Sequence, residues 1–236
     1  VLWVPPAPEL LDLCDRMGMV VWNEAFDKWD GTATLPKGVS VLDHGRKQLS
    51  NFVRRDRNHP CVVVWSVGNE ITALETLKYP ESPGLLKAMV ALVKEFDTTR
   101  PVGLAHCVPE SAKSQLPAAL DVTGWNYGRR YAISRERWPN LPIIYTESAS
   151  AFSTRGYYDD FPMPAKKDDY PITARISSYD HNCAYYSDPA DVEFALMERD
   201  RFVAGEFVWT GFDYLGEPAP FISEGWGHFT KRKLAR

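Results

Sequence analysis

Two glutamates stand where a pair of catalytic carboxylates would. Glu70 closes the apolar segment Cys61-Val62-Val63-Val64-Trp65-Ser66-Val67-Gly68-Asn69, and Glu147 closes Ile143-Ile144-Tyr145-Thr146. A single Glu in such a place more commonly serves a structural ion pair. Two of them, each at the end of a buried run and beside Asn or aromatic residues, reverse that expectation. Paired carboxyl groups facing an acetal can cleave it: one donates a proton to the leaving oxygen, and the other attacks carbon or activates water. Burial raises the pKa of the acid, while its partner must stay ionised.

The other reactive side chains offer less. Five His are scattered with no HxH or HExxH spacing, so no catalytic metal is expected. His59 precedes Pro60 at a turn and reads as structural. His106 ends an apolar run and is balanced between core packing and a substrate contact. Asn23 and Glu24 read as a supporting network more than as direct contacts, and Asp213 could orient neighbours or bind substrate. Trp125 reads as core, and Ser150 lacks the His and Asp of a serine hydrolase. Cys14, Cys61, Cys107 and Cys183 are far apart and read as free thiols.

The elements that would position these residues repeat one unit: a helical stretch, an apolar run, then a polar residue. Pro8 to Met17 has apolar residues at helical spacing, with Gly18 placed to cap it. Met19 to Trp22 follows and ends at Asn23-Glu24. Leu49, Phe52 and Val53 mark a second helix, stopped by Pro60, before the run ending at Asn69-Glu70. A third helix runs from about Leu85 to Phe96, before Val102 to His106. Asp121 to Trp125 leads to Asn126-Tyr127, Pro142 to Thr146 leads to Glu147, and a helix around Ala190 to Arg199 precedes Phe202 to Trp209.

Near-continuous apolar strands are buried on both faces, as in parallel sheets, and their alternation with helices predicts an α/β fold. Polar residues at strand ends favour a (β/α)8 TIM barrel, where chemistry sits on that rim. A doubly wound sheet would more often carry a Gly-rich phosphate turn, and none is present. Six strands are visible where a closed barrel has eight. The predicted organisation is a partial barrel catalytic domain over residues 1–222 and an atypical tail over 223–236. The long stretch from Ala151 to Pro189, rich in Tyr, Phe and Pro, reads as a functional loop in which Tyr157, Tyr158, Tyr185 and Tyr186 could line outer subsites.

Composition narrows the classes. With 27 Lys plus Arg against 31 Asp plus Glu, there is no basic excess to serve nucleic acid. No run of 18 apolar residues predicts a membrane span. Val1 to Pro6 has neither the basic region nor the cleavage site of a signal peptide. Aromatic residues make up 13%; much of this is core material, and a surplus of Trp and Tyr on loops also fits a surface that stacks sugar rings.

The motifs together resemble glycoside hydrolase family 2, the β-galactosidase and β-glucuronidase family. Asn58-His59-Pro60 through Asn69-Glu70 is similar to its acid/base signature, which implies Glu70 as general acid/base and Asn69 as partner of the sugar 2-hydroxyl. Ile144-Tyr145-Thr146-Glu147-Ser148-Ala149 resembles the nucleophile segment, with Glu147 as nucleophile. Gly124-Trp125-Asn126-Tyr127 resembles the segment that brings a Tyr to the nucleophile, implying substrate-site roles for Asn126 and Tyr127. Gly205-Glu206-Phe207-Val208-Trp209 resembles the final strand, with Trp209 as an apolar platform for the sugar.

The resemblance implies retaining hydrolysis of terminal β-glycosides, most closely β-D-galactosides, with β-glucuronides and β-mannosides as alternatives. The substrate is thus a carbohydrate, with no nucleic-acid or membrane partner and no cofactor. An Asn-x-Lys pair that glucuronidases use to grip the sugar carboxylate is not found near the last strand, which favours a neutral sugar. The chain departs from the family where Trp3 replaces a sugar-contacting His and Ser150 a His near the nucleophile. Asp27 and Trp29 match the acidic and His ligands of a magnesium site in enteric-type galactosidases, so one ligand is missing. By this resemblance the visible strands are barrel strands 3 to 8. Without strands 1 and 2, this chain alone is expected to turn over little substrate and to associate, or to be an incompetent fragment of such an enzyme.

Overall fold

The computed structural model describes residues 5–29, 41–76, 81–152, 156, 158, 178, 182–183 and 186–211. The chain divides into two compact units, Val1–Trp125 with Arg130–Ile144, and Asn126–Arg129 with Tyr145–Arg236.

In the first unit, α1 (Pro8–Met17) starts on a proline at its first turn and ends at Gly18, whose φ of 69° makes the left-handed cap. Leu11 is its fully buried contact. Strand β1 (Val21–Glu24) is buried at every position. Helix α2 (Val41–Asp56) buries Leu49, Phe52 and Val53, the residues whose spacing predicted it. Strand β2 (Val62–Asn69), helices α3 (Thr72–Glu75) and α4 (Ser82–Lys94), and strand β3 (Val102–His106) follow. Then come α5 (Pro109–Lys113), a 3-10 turn at Pro117–Ala119, β4 (Val122–Asn126), α6 (Tyr131–Arg137) and the start of β5 (Ile143–Ser148).

The strands pair parallel in chain order. Val21 faces Val62 and Glu24 faces Ser66, Trp65 faces Val102 and Asn69 faces Ala105, and Gly103 faces Val122 and His106 faces Trp125. The Thr123 N–H continues the ladder to Pro142 O at 3.0 Å. Trp22, Trp65 and Trp125 are the largest fully buried side chains. Phe52 meets Trp65 edge to face with ring centroids 5.1 Å apart, a geometry aromatic pairs favour. Gly103 is required by packing, since a Cβ there would lie 2.5 Å from the Trp22 ring and 2.9 Å from Val122 O.

The base of this unit is tied by one buried carboxylate. Asp97 accepts bonds from the Thr99 N–H (2.7 Å) and hydroxyl (2.6 Å), the Trp65 indole (2.9 Å) and the Arg100 guanidinium (2.8 Å). Arg100 also donates to Val62 O and His59 O, locking the loop before β3 to the start of β2. Burial by itself would raise the Asp97 carboxyl. The Thr99, Trp65 and Arg100 donors outweigh it and hold the group well below the usual carboxylate range.

The second unit holds the rest of β5, the short antiparallel pair β6 (Ala151–Phe152) and β7 (Asn182–Cys183), helix α7 (Ala190–Arg199) and strand β8 (Val203–Val208). Here the Tyr127 N–H donates to Glu147 O (2.7 Å), and the Trp209 N–H to Ser148 O (2.8 Å). The hydrogen-bonded strand order is β1-β2-β3-β4-β5-β8, helices alternating with strands as in a (β/α) barrel. Among the described residues this sheet runs from β1 to β8, in keeping with the six strands expected.

Strands run further than their apolar residues predict. Asn23 and Glu24 lie inside β1, Asn69 inside β2 and Glu147 inside β5, because backbone pairing continues after the side chains turn polar. Cys14, Cys61 and Cys107 are free thiols. No helix among the described residues is long and apolar enough to cross a membrane. Residues 212–236, with Asp213 and the atypical tail, lie outside the described residues, as do Trp3, Tyr157 and Tyr185.

Candidate active site

In the first unit the end of β2 is braced by the loop that leaves β1. The Ala25 N–H donates to Ser66 O (3.0 Å) and the Asn69 N–H to Asp27 O (2.8 Å), so the loop extends the parallel ladder. The Trp29 indole donates to Val67 O (2.7 Å), and the Asn69 amide to Asp27 Oδ1 (3.1 Å). Asn69 is buried, with its side chain fixed at a hydrogen-bonding edge. Glu70 follows with φ 47°, in the left-handed region, and its N–H donates to Ala105 O (2.9 Å). Its side chain keeps 27% exposure, so the carboxyl is reachable. Lys28 Nζ lies 2.9 Å from Asp27 Oδ1, 2.9 Å from Asn69 O and 3.9 Å from Glu70 Oε2.

In the second unit Glu147 is buried at 3% exposure, and both of its carboxylate oxygens are held. Asn126 Nδ2 donates to Oε1 (2.8 Å), and the Tyr127 hydroxyl donates to Oε2. The Thr146 hydroxyl donates to Asn126 Oδ1 (2.6 Å), which fixes which face of the amide meets Glu147. Tyr127, Gly128 and Arg129 are all left-handed, at φ 53°, 61° and 54°. This turn directs the Tyr127 ring back over β5. Tyr186 packs on that ring with centroids 4.7 Å apart.

Arg129 anchors the turn through Asp188 (2.8 Å) and the fully buried Glu193 (2.9 Å), and Tyr145 OH donates to Glu193. Burial alone would lower the Arg129 guanidinium, but its bonds to Asp188 and Glu193 outweigh this and hold it protonated. Burial pushes the Glu193 carboxyl up, with the guanidinium opposing. On β8, burial likewise raises Glu206.

The residues predicted from sequence thus gather locally. Glu70 sits beside Asn69, and Glu147 is bonded to both Asn126 and Tyr127. Trp209 is half-buried and is joined through its backbone to Ser148, next to Glu147. His106 is fully buried, with its ring against Trp125 at 5.3 Å and Glu75 at 3.6 Å, which resolves the balance toward core packing. His59 pairs with Asp15 at 2.7 Å and is structural. Asn23 donates to Asp56 and Glu24 accepts from Ser66, both within a buried network. Lys28, Arg129 and Glu193 escaped the sequence reading. The contacts that place them, Lys28 to Asn69 and Arg129 to Glu193, span 41 and 64 residues, and a lone charge carries no local signal of such a contact.

The positions matched to a magnesium site do not fit a divalent ion. The Asp27 carboxylate is already paired with an ammonium, and the Trp29 indole is a donor with no lone pair to give. Asp15, His59 and Cys61 do come together, with their ligand atoms within 4.8 Å of one another. There Asp15 spends both oxygens on the Cys61 N–H and on His59, and burial pushes the Cys61 thiol up to about 12. That cluster reads as a tie between α1 and β2.

Comparison with known proteins identifies the family. The family model for the TIM barrel domain of glycosyl hydrolases family 2 matches residues 3–231. A β-galactosidase of Bacteroides ovatus is 35% identical over 260 residues, covering 94% of this chain and 30% of that protein. A β-glucuronidase of Rattus norvegicus is 29% identical, covering 97% of this chain and 35% of its own length. A crystal structure of a glycosyl hydrolase family 2 member from Bacteroides cellulosilyticus matches with a TM-score of 0.62 at 31% identity, covering 91% of this chain and 23% of that one. The chain spans about a third of the length of the two curated relatives.

Proposed function

From the premise that this chain belongs to glycosyl hydrolase family 2, we propose that it is the catalytic part of an enzyme that hydrolyses terminal β-D-galactosides with retention of configuration. Glu147 is the nucleophile. A carboxylate oxygen attacks the anomeric carbon while the glycosidic C–O bond breaks, and Glu70 gives its proton to the departing oxygen. Water then attacks the same carbon of the glycosyl ester, its proton passes to the Glu70 carboxylate, and Glu147 leaves. Asn69 accepts or donates at the sugar 2-hydroxyl, where a bond strengthens as oxocarbenium character grows. Asn126 and Tyr127 hold Glu147 and edge the sugar site, and Trp209 offers its face to the sugar C–H surface.

The observation that carries this reading is the state of Glu147. A carboxylate removed from water and gripped on each oxygen by a fixed donor is kept aimed and prevented from rotating, as a nucleophile must be. Glu70 contrasts with it in keeping solvent access, which a group that protonates a leaving alcohol and then receives water needs. Support for a galactoside comes from the Bacteroides ovatus relative. The rat β-glucuronidase, matching over more of the chain at lower identity, supports a β-glucuronide as the second reading.

The test is kinetic, on the full-length protein. Glu147→Gln should abolish turnover of every substrate. Glu70→Gln should lose least on a dinitrophenyl glycoside, whose leaving group needs no proton. NMR of the first-formed sugar should show the β-anomer, and nitrophenyl galactoside should be cleaved in preference to the glucuronide. Equal loss on activated and unactivated substrates for Glu70→Gln, or an α-anomer released first, would overturn the assignment.

A further inference from the structure

Lys28 is one residue along from a position that the family resemblance assigns to metal binding, and its ammonium faces the Glu70 carboxyl. Its Nζ is held by the Asp27 carboxylate and Asn69 O, each at 2.9 Å, and faces Glu70 Oε2 at 3.9 Å. At 25% side-chain exposure it is partly withdrawn from water, so its field on Glu70 is less screened than that of a surface lysine. The neighbouring Trp29 cannot ligate a metal, and a divalent ion at Asp27 would meet the ammonium.

We propose that the Lys28 ammonium, clamped between Asp27 and the end of β2, is a tethered cation that positions the Glu70 carboxyl and stands in for a bound metal ion. The inference rests on the assignment of Glu70 as acid/base. It makes Lys28 a positioning residue, acting on Glu70 from 3.9 Å. Asp27 has two tasks in this arrangement. Its carboxylate fixes Lys28 and accepts from the Asn69 amide, and its carbonyl accepts the Asn69 N–H. The same loop therefore sets Asn69 and Glu70 in register through side chains of the protein itself. General acid catalysis contributes roughly 10²- to 10⁴-fold, so loss of its orientation should remove part of that factor.

The experiment uses the full-length protein and the variants Lys28→Met, which keeps bulk and loses charge, and Lys28→Arg. Turnover of dinitrophenyl and methyl β-galactosides is measured before and after EDTA treatment, with melting temperatures as a check on folding. Chelation should leave wild-type rates unchanged. Lys28→Met should lose roughly tenfold or more on the methyl glycoside and less than about threefold on the dinitrophenyl one, a split that follows proton donation. Lys28→Arg should recover most of the loss. A wild type that EDTA inactivates, or a Lys28→Met variant that is unaffected or equally slowed on both substrates, overturns the proposal. A folded wild type that cleaves neither glycoside counts against the proposed function instead.

Discussion

Replacing Asp97 by Asn should separate stability from catalysis in this molecule. The carboxylate is 7% exposed and accepts four hydrogen bonds, two from Thr99 and one each from Trp65 and Arg100. Asn keeps one acceptor oxygen and turns the other into a donor, which must then face Trp65 and Arg100 or face Thr99. Either way about two bonds are lost: those from the indole and the guanidinium in the first orientation, those from the Thr99 N–H and hydroxyl in the second. Bonds to a charged group are worth about 1.5–3 kcal/mol each, so Asp97→Asn should cost about 3–5 kcal/mol at pH 7. For a domain of this size that is a fall of roughly 6–20 °C in melting temperature.

The pH dependence has a defined sign. The folded carboxyl titrates below its unfolded value of about 3.9, so its contribution is complete above about pH 5 and fades as pH falls from about 4 toward the folded value. Asn does not titrate. Urea midpoints of wild type and variant should therefore be far apart at pH 7 and begin to draw together as pH falls below about 4. Because Asp97 ties the start of β2 and Glu70 follows its end, kcat at 25 °C should be unchanged in the folded variant. A gap that stays constant from pH 7 to pH 3, or a fall in kcat without a fall in melting temperature, would refute this account.

Two further outcomes are expected. Tyr127→Phe removes one donor from the buried Glu147 carboxylate, a loss of about 1.5–3 kcal/mol, and kcat/KM should fall roughly 10- to 150-fold; a change below threefold would sink the idea that this bond holds the nucleophile. Gly103→Ala pushes a methyl group into the Trp22 ring and the Val122 carbonyl, and should destabilise by about 1–3 kcal/mol or more in a denaturant titration, because neither neighbour can withdraw.

Much of the fold could be read from local pattern. Helices α1 and α7 were legible to the residue because a proline, apolar spacing and, for α1, a terminal glycine bound them. Short α6 was missed: only Tyr131 and Ser134 are buried in it, too few to show a period. The two candidate glutamates stand out in the sequence because each ends an apolar run. The groups that hold them were less so. Asn126 and Tyr127 came through their resemblance to a known motif, whereas Lys28 and the Arg129 anchor depend on contacts between distant segments. A carboxylate such as Asp97 looks like any solvated loop residue until the fold buries it.

The left-handed residues carry a consequence for how this protein can change. Glu70, Tyr127, Arg129 and Ala149 all have positive φ, and each lies within three residues of the C-terminal end of β2, β4 or β5. An L-residue in that region gives up about 1–2 kcal/mol relative to glycine. A lineage selected for heat resistance alone would drift toward Gly or Asn at these four places. Under the proposed mechanism only Ala149 is open to that drift, since Glu70 and Tyr127 have assigned roles and Arg129 supplies the anchor. These strand ends thus act as an evolutionary ratchet: three of the four positions are closed to that route to thermal adaptation, whereas ties such as Asp97, at the other end of a strand, are not.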